Sequence, residues 1–599
     1  MRGLVIGWLI LLSYTGLAQV ATDDTTHQRL VHKIRQSKTS KALLNSVKTH
    51  SNPDTLFNTR SESAFMQYNG KIVRHININH IGFDKTIYDT TRSVKNTITR
   101  IGNSLHSNTK VWVIKNNLFI REGKPLNPYR VADNERYLRD LNFILDARIY
   151  VEPVSGDSVD LMIVTRDIFS LGASFSPNSP KKYTYKVHDV NVAGWGQQLQ
   201  TNGLIQNGRD PMVGPEFIYS KNSIGGTLTN LSLGYTTLNT GSSYGEENEY
   251  AGYVRLNRPL VSPYTRLAGG LELSVNQSRN VNVAPDSLFR SYKYVVNDFW
   301  IGYNIGINNR VKNRSRHFVA LRFFNEHFLS KPKQLIERTN PLYNNQNYVL
   351  AEFAFFNQNF YKTRYIYGFG RTEDVPYGRS FSVLAGWSRS LLLNRLYMGV
   401  DFDRTIVYGK GDFYQYSLRA EAFDYKQELQ DMSLLASASL NSRLHVYKHF
   451  KIRQSLRVGY TTIVKPTLNR LLEIDNDFGV NGLRSDSIRG QRRLGMHTET
   501  VMFTNWKLLG FHFAPLIFGD LAFISQSNVQ VFYDKPYYGV GAGMRTRNEN
   551  LVFGTIEFRG TYYPRVPQGG NHFSVTLRTN LRIKFTGSLI NAPAFIQYN

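Results

Sequence analysis

The chain has 599 residues, 41% of them hydrophobic, with 36 Phe, 36 Tyr, no Cys and a formal net charge of +27. The missing cysteines exclude disulfides, thiolate catalysis and cysteine metal ligands together, and the aromatic content excludes a chain too polar to bury large surfaces. Such a charge on a cytoplasmic protein would suggest nucleic acid, but the basic residues are spread along the chain and not gathered in one block.

Arg2 is followed by an apolar run from Leu4 to Leu17 and by Gly16-Leu17-Ala18 ahead of Gln19. This pattern predicts a secretory signal over residues 1–18, cleaved after Ala18, because the run is too short and badly flanked for a stable membrane span. No later stretch reaches roughly 18 apolar residues, so a helical membrane protein is excluded, and a closed β-barrel is the other route through a bilayer. An exported chain meets polyanions of its own, namely lipid phosphates and lipopolysaccharide. The cations are therefore read as lumen and loop residues, with no nucleic-acid partner.

Residues 19–69 carry Asp-Asp-Thr-Thr, Ser-Lys-Thr-Ser-Lys and Ser-Asn-Pro-Asp clusters with little periodicity, which predicts a linker or loosely attached segment. From Gly70 the pattern changes. Lys71 to Asn79 alternates apolar and polar residues and predicts a strand; Thr109 to Phe119 and Pro128 to Leu141 have helical spacing; Ala147 to Val151 and Ser158 to Thr165 predict two more strands. Strand, two helices and two strands make a small α+β domain over 70–166.

From residue 167 to 599 everything is strand-like. In Phe573 to Phe585, Phe573, Val575, Leu577 and Leu581 alternate with Ser574, Thr576, Arg578 and Arg582; Tyr414 to Ala422 and Ile452 to Tyr460 repeat the pattern. Alternation alone also suits a soluble sandwich. Segments of about nine to fourteen residues, repeated over this length with polar loops between and Tyr and Phe near their ends, point instead to an antiparallel transmembrane β-barrel. Periodicity marks close to twenty segments and supports a range of 16 to 20 strands.

Several local motifs go further. The α+β domain resembles the POTRA module of the BamA/TamA superfamily of outer-membrane assembly and translocation proteins. The residues that carry this are Lys71-Ile72-Val73, the run Phe119-Ile-Arg-Glu-Gly-Lys-Pro-Leu126, Asp133-Asn-Glu-Arg-Tyr-Leu-Arg139 and Asp146-Ala-Arg-Ile149. In the barrel, Asn481-Gly482-Leu483-Arg484 resembles the start of the superfamily's loop motif. Phe518-Gly519-Asp520-Leu521-Ala522 is similar to its Phe-x-Asp-x-Gly strand, and Gly539-Val-Gly541-Ala-Gly543 to the glycine-rich strand that follows. Five strands are predicted after the loop, as in a 16-stranded member, so 16 is the expected total.

The chain departs from the family in three places. Ser485 and Asp486 replace a glycine and an aromatic, Ala522 replaces a glycine, and the chain ends Phe595-Ile-Gln-Tyr-Asn599 instead of on an aromatic residue. Ile488-Arg489-Gly490 offers a second register for the loop motif.

The resemblance implies that Arg484 folds into the lumen and pairs with Asp520, helped by Glu499, as a latch of bidentate guanidinium and carboxylate. It also implies that an exposed strand edge of the domain captures extended client polypeptides, and that weak pairing of the first and last barrel strands templates incoming ones. No cofactor is implied. The acidic run Asp475-Asn476-Asp477 with Gly479 lacks the closing Glu of a calcium loop, and no nucleophile or acid-base constellation occurs. The function expected is an assembly or translocation factor for proteins or lipids, with a passive porin as the alternative and an enzyme third.

Overall fold

The computed structural model describes residues 58–81, 107–581 and 590–596, apart from 155, 180, 240–247, 306–313, 392, 410, 468–470, 486, 509–510, 527–534, 549–554 and 568. The predicted signal segment lies outside the described residues.

The α+β domain runs β1 (Ile72–Ile81), α1 (Val111–Lys115), α2 (Pro128–Asp140), β2 (Ile144–Pro153) and β3 (Ser158–Asp167). The order agrees with the sequence pattern. β3 is central, parallel to β1 and antiparallel to β2. Val113, Ile114, Leu138, Phe143, Val159, Leu161 and Ile163 form its core between helices and sheet. α1 is shorter than its spacing predicts because the chain turns at Asn116, and the Asn117 side chain donates back to the Val113 carbonyl at 2.8 Å. α2 starts where Asn127 accepts from the Tyr129 and Arg130 N–H groups and Pro128 fills the first turn, an N-cap worth about 1 kcal/mol.

The linker reading fails over its last dozen residues. Thr59–Arg60 pairs with Lys362 and Tyr361 of a barrel strand, and the 3-10 turn Ser63–Tyr68 buries Phe65 in the domain core. Polar composition hid this, because a single aromatic anchor gives no periodic signal.

The remaining strands form one antiparallel sheet whose order sets the last strand, Phe573–Leu581, beside the first, Leu171–Ser179. Among the described residues, twenty strands of 8 to 18 residues make the ring, joined by three two-residue pieces. The expected 16 is therefore corrected to 20. Five strands follow the long loop at 465–491, as predicted, and fifteen precede it. Closure requires only that hydrogen bonds be paired all round, so strands after the loop do not determine the number before it.

The alternation sorts side chains between two faces. Phe299, Ile301 and Tyr303 stand outward opposite Phe323, Leu321 and Val319, and Val319, Phe353, Val383 and Val400 continue the outer row across successive strands. Trp300, Asn304, Phe318 and Arg322 lie between them and face the lumen. A continuous apolar outer face around a polar interior suits surrounding hydrocarbon. No helix among the described residues is long and apolar enough to cross a membrane.

Candidate functional site

The lumen is narrowed by the connection at 465–491, which follows the strand Phe450–Val464 and precedes Arg492–Thr504. A small hairpin pairs Leu472–Glu473 with Arg489–Gly490. Leu472, Ile474, Val480, Leu483 and Ile488 are buried against Leu435, Ile463, Ala522, Ile524 and Tyr563 of the barrel wall. The loop therefore folds inward on an apolar seat.

Two wall glycines make room for it. Gly459 and Gly495 sit directly opposite each other on neighbouring strands. A Cβ on Gly459 would stand 2.3 Å from the Phe478 ring, and one on Gly495 would stand 1.9 Å from the Phe478 carbonyl oxygen. Any side chain at either position would push the loop off the wall. Gly482 turns the chain at φ +78°, its N–H donating to Asp475 at 2.7 Å, and the Tyr563 hydroxyl donates to the Asn481 carbonyl at 2.8 Å.

The predicted latch is not formed. The Arg484 side chain is 92% exposed and its ion-pair partner is Asp475, at 3.8 Å. Arg489, the other register, pairs with Glu473 at 3.3 Å. Asp520 is fully buried and its Oδ1 meets His497 Nδ1 at 2.5 Å and Asn481 Nδ2 at 3.4 Å. The physical reason is that Gly482 and Leu483 already fix the loop, leaving Arg484 pointing to solvent, while His497 stands directly opposite Asp520 across the strand pair. Leu483 itself is buried in the loop's core.

Glu499 belongs to a different constellation. It accepts from Arg545 at 2.9 and 3.0 Å and from Arg559 at 2.5 Å, and Glu557 accepts from the same two arginines at 2.5 and 2.6 Å. Two carboxylates and two guanidinium groups thus close a ring of charge-assisted bonds on the inner wall. Phe518 extends over the neighbouring strand and lies 4.7 Å from the Arg559 guanidinium. A Cβ on Gly541, directly opposite Phe518, would collide with that ring and with the Gly560 carbonyl oxygen, and one on Gly543 with the Phe558 carbonyl oxygen. The glycine-rich motif lets the neighbouring backbone and the Phe518 ring approach closely.

Above this wall lies a cavity of about 440 Å³. Arg419, Arg453, Arg457, Arg545, Arg559 and Arg578 line it against Asp477 and Glu499. The chamber is basic, as the composition led one to expect of the lumen.

The α+β domain is seated on one rim of the barrel by α2. Glu135 pairs with Arg139 at 2.7 Å and with Lys362 of the rim, and Arg139 donates to Asp374 at 2.7 and 2.8 Å. Asp133 accepts from Ser262 at 2.6 Å and lies 3.5 Å from Arg314, while Arg136 donates to the Val261 carbonyl. Burial alone would raise the Glu135 carboxyl, but Lys362, then Arg139 and Arg148, outweigh it and hold it well below the usual carboxylate range. The same charges cover an edge expected to be open: Glu135 accepts from the Ile149 N–H and Arg139 donates to the Ala147 carbonyl of β2. On the other edge, residues 123–126 bond to Lys71 and Val73 of the β1 region.

Sequence reasoning missed Gly459, Gly495, Phe478, His497 and Tyr563. The usable signal was a mid-strand glycine in each strand flanking the connection at 465–491.

No protein-family model matches the chain, and no curated protein does. Among solved structures it is similar to BamA from Haemophilus ducreyi lacking POTRA domains 1-3, at 12% identity and TM-score 0.33, over 94% of this chain and 95% of that one. It is also similar to CdiB from Acinetobacter baumannii and from Escherichia coli, each at 11% identity and TM-score 0.37, over 94% of this chain and 99% of theirs. The barrel assignment stands on the chain's own strand order and register.

Proposed function

We propose that this chain is an outer-membrane assembly or translocation factor, with its α+β domain in the periplasm as a POTRA-like module. The observation that carries the reading is the inward loop: Phe478 seated on Gly459 and Gly495, with five apolar loop residues buried against the wall. A passive porin works by an open aqueous lumen and has no use for an apolar core packed on its inner wall. The reading includes no enzymatic step and no cofactor, because positioning and exposed backbone are enough to guide a strand into a membrane.

Its clients are unfolded or extended polypeptides, and its surroundings are outer-membrane lipid and lipopolysaccharide. With both edges of the domain sheet partly covered, the barrel seam is the better-supported template. The seam joins the last strand, Phe573–Leu581, to the first, Leu171–Ser179, and at 9 residues each these are shorter than most strands of the ring and offer few hydrogen bonds to break.

The test is insertion of a urea-denatured eight-stranded outer-membrane barrel into liposomes containing the full chain, followed by its heat-modifiable gel mobility. Faster insertion than into protein-free liposomes is expected. Equal rates, together with a large steady current from the chain in planar bilayers, would replace the reading with the porin alternative.

A further inference from the structure

Residues 590–596 lie inside the barrel. Ile590 is buried with Leu260, Trp300, Phe318 and Phe356 near the rim that carries the α+β domain. The Pro593 carbonyl accepts from Arg322 Nη1 at 2.9 Å. Phe595 enters an aromatic cage, with ring centroids 4.9 Å from Tyr348, 4.8 Å from Tyr397 and 5.5 Å from Phe423. The Ile596 N–H donates to Glu421 at 3.1 Å and to the Tyr397 hydroxyl at 3.3 Å.

These partners trace a path. Phe318 and Phe356 sit toward the domain rim, whereas Tyr348, Tyr397 and Phe423 sit toward the far end of their strands. Seven extended residues span about 20 Å, which is most of the thickness of a hydrocarbon layer. The tail lines the wall from Leu267–Arg279 to Asp412–Tyr425, and the loop at 465–491 packs beside it on Glu428–Asn441, Phe450–Val464 and Phe511–Ser525. The contacts are those of a peptide-binding site: an aromatic pocket, a guanidinium on a backbone carbonyl and a buried carboxylate on a backbone N–H.

We propose that the lumen contains a site for an extended peptide bearing an aromatic side chain, and that residues 590–596 fill it in cis as a plug. Arg322, Tyr348, Tyr397, Glu421 and Phe423 build the site. It obstructs a part of the lumen that the loop does not reach, so departure of the tail widens the passage. The inference rests on the barrel spanning a membrane and not on the assembly activity. A failed plug therefore leaves client insertion by the full chain unaffected, and failed client insertion leaves the plug standing.

The experiment compares single-channel current of the full chain with that of a chain ending at Leu589, before and after adding a synthetic peptide of residues 590–599. A several-fold larger, steadier current from the shortened chain is expected, blocked again by the peptide but not by its Phe595→Ala form. An unchanged current, or block by both peptides alike, would overturn the proposal. Should the shortened chain fail to fold, Ile596→Cys in the full chain, the sole thiol present, keeps the Phe595 ring and the backbone N–H contact and gives a second reading. Protection from a maleimide until denaturation supports the plug, and labelling as fast as in urea sinks it.

Discussion

At the scale of single residues, close approach decides more than charge. Phe478 rests against two backbone segments, because Gly459 and Gly495 carry no Cβ to hold it away. Gly495→Val overpacks this contact, at a cost of about 1–3 kcal/mol, and should release the loop. The expected reading is a larger and less interrupted current with the barrel still heat-modifiable, and an unaltered current would show that the loop seat lies elsewhere. Arg484→Ala should do almost nothing, shifting thermal stability by no more than about 0.5 kcal/mol, since that side chain is solvent-exposed. Asp520→Ala, by contrast, leaves His497 without its carboxylate in a closed wall, and a clear loss of heat resistance is expected. Equal effects from both substitutions would restore the latch reading.

Among the elements, α2 matters most because it is buried on every side. Its apolar stripe of Val131, Leu138 and their neighbours was legible as helical spacing, and it packs on the domain sheet as such a stripe should. The opposite stripe of Asp133, Glu135, Arg136 and Arg139 reads as a solvated face in sequence, yet it is the joint between domain and barrel. Polar residues on a helix look the same whether they meet water or a second charged surface, and only the rim positions Lys362 and Asp374 tell the two apart. Glu135→Gln removes one member of this buried set and should weaken docking by about 3 kcal/mol, seen as faster protease cleavage between domain and barrel.

The pH dependence of that joint follows from its sign. The folded-state pKa of Glu135 lies below that of the unfolded chain, about 4.3. Docking is therefore at full strength above that pH and is lost progressively as the pH falls from there through the depressed value. Protease sensitivity of the native chain should stay flat from neutral pH down to that range and rise in stronger acid, and loss of docking already at pH 6 would contradict this.

At the scale of the whole molecule, the barrel is a ring of twenty strands whose lumen is occupied by a loop and a tail, with six arginines against two carboxylates around the remaining chamber. Any current that passes once an obstruction is released should favour anions, because the fixed charge concentrates them. A reversal potential measured across a potassium chloride gradient with the Gly495→Val chain should therefore show chloride preference, and cation preference would mean that ions avoid the chamber.

What the sequence determined by itself is what local repetition encodes. Period-two alternation sets which face of each strand meets the lumen, helical spacing marks α2, and the order strand, helix, helix, strand, strand identifies the domain. The five strands after the loop were legible for the same reason, with ends within a few residues of those observed. Tertiary structure alone decided the strand total, the partner of Asp520, the seat of α2 and the course of residues 590–596. Each of these depends on which surfaces meet across distances of many tens to hundreds of residues. The ring closes when every backbone hydrogen bond is paired, Asp520 takes the donor that the register brings opposite, and the tail goes where an aromatic cage and a buried carboxylate receive it. Such pairings arise from three-dimensional complementarity, which no local pattern carries.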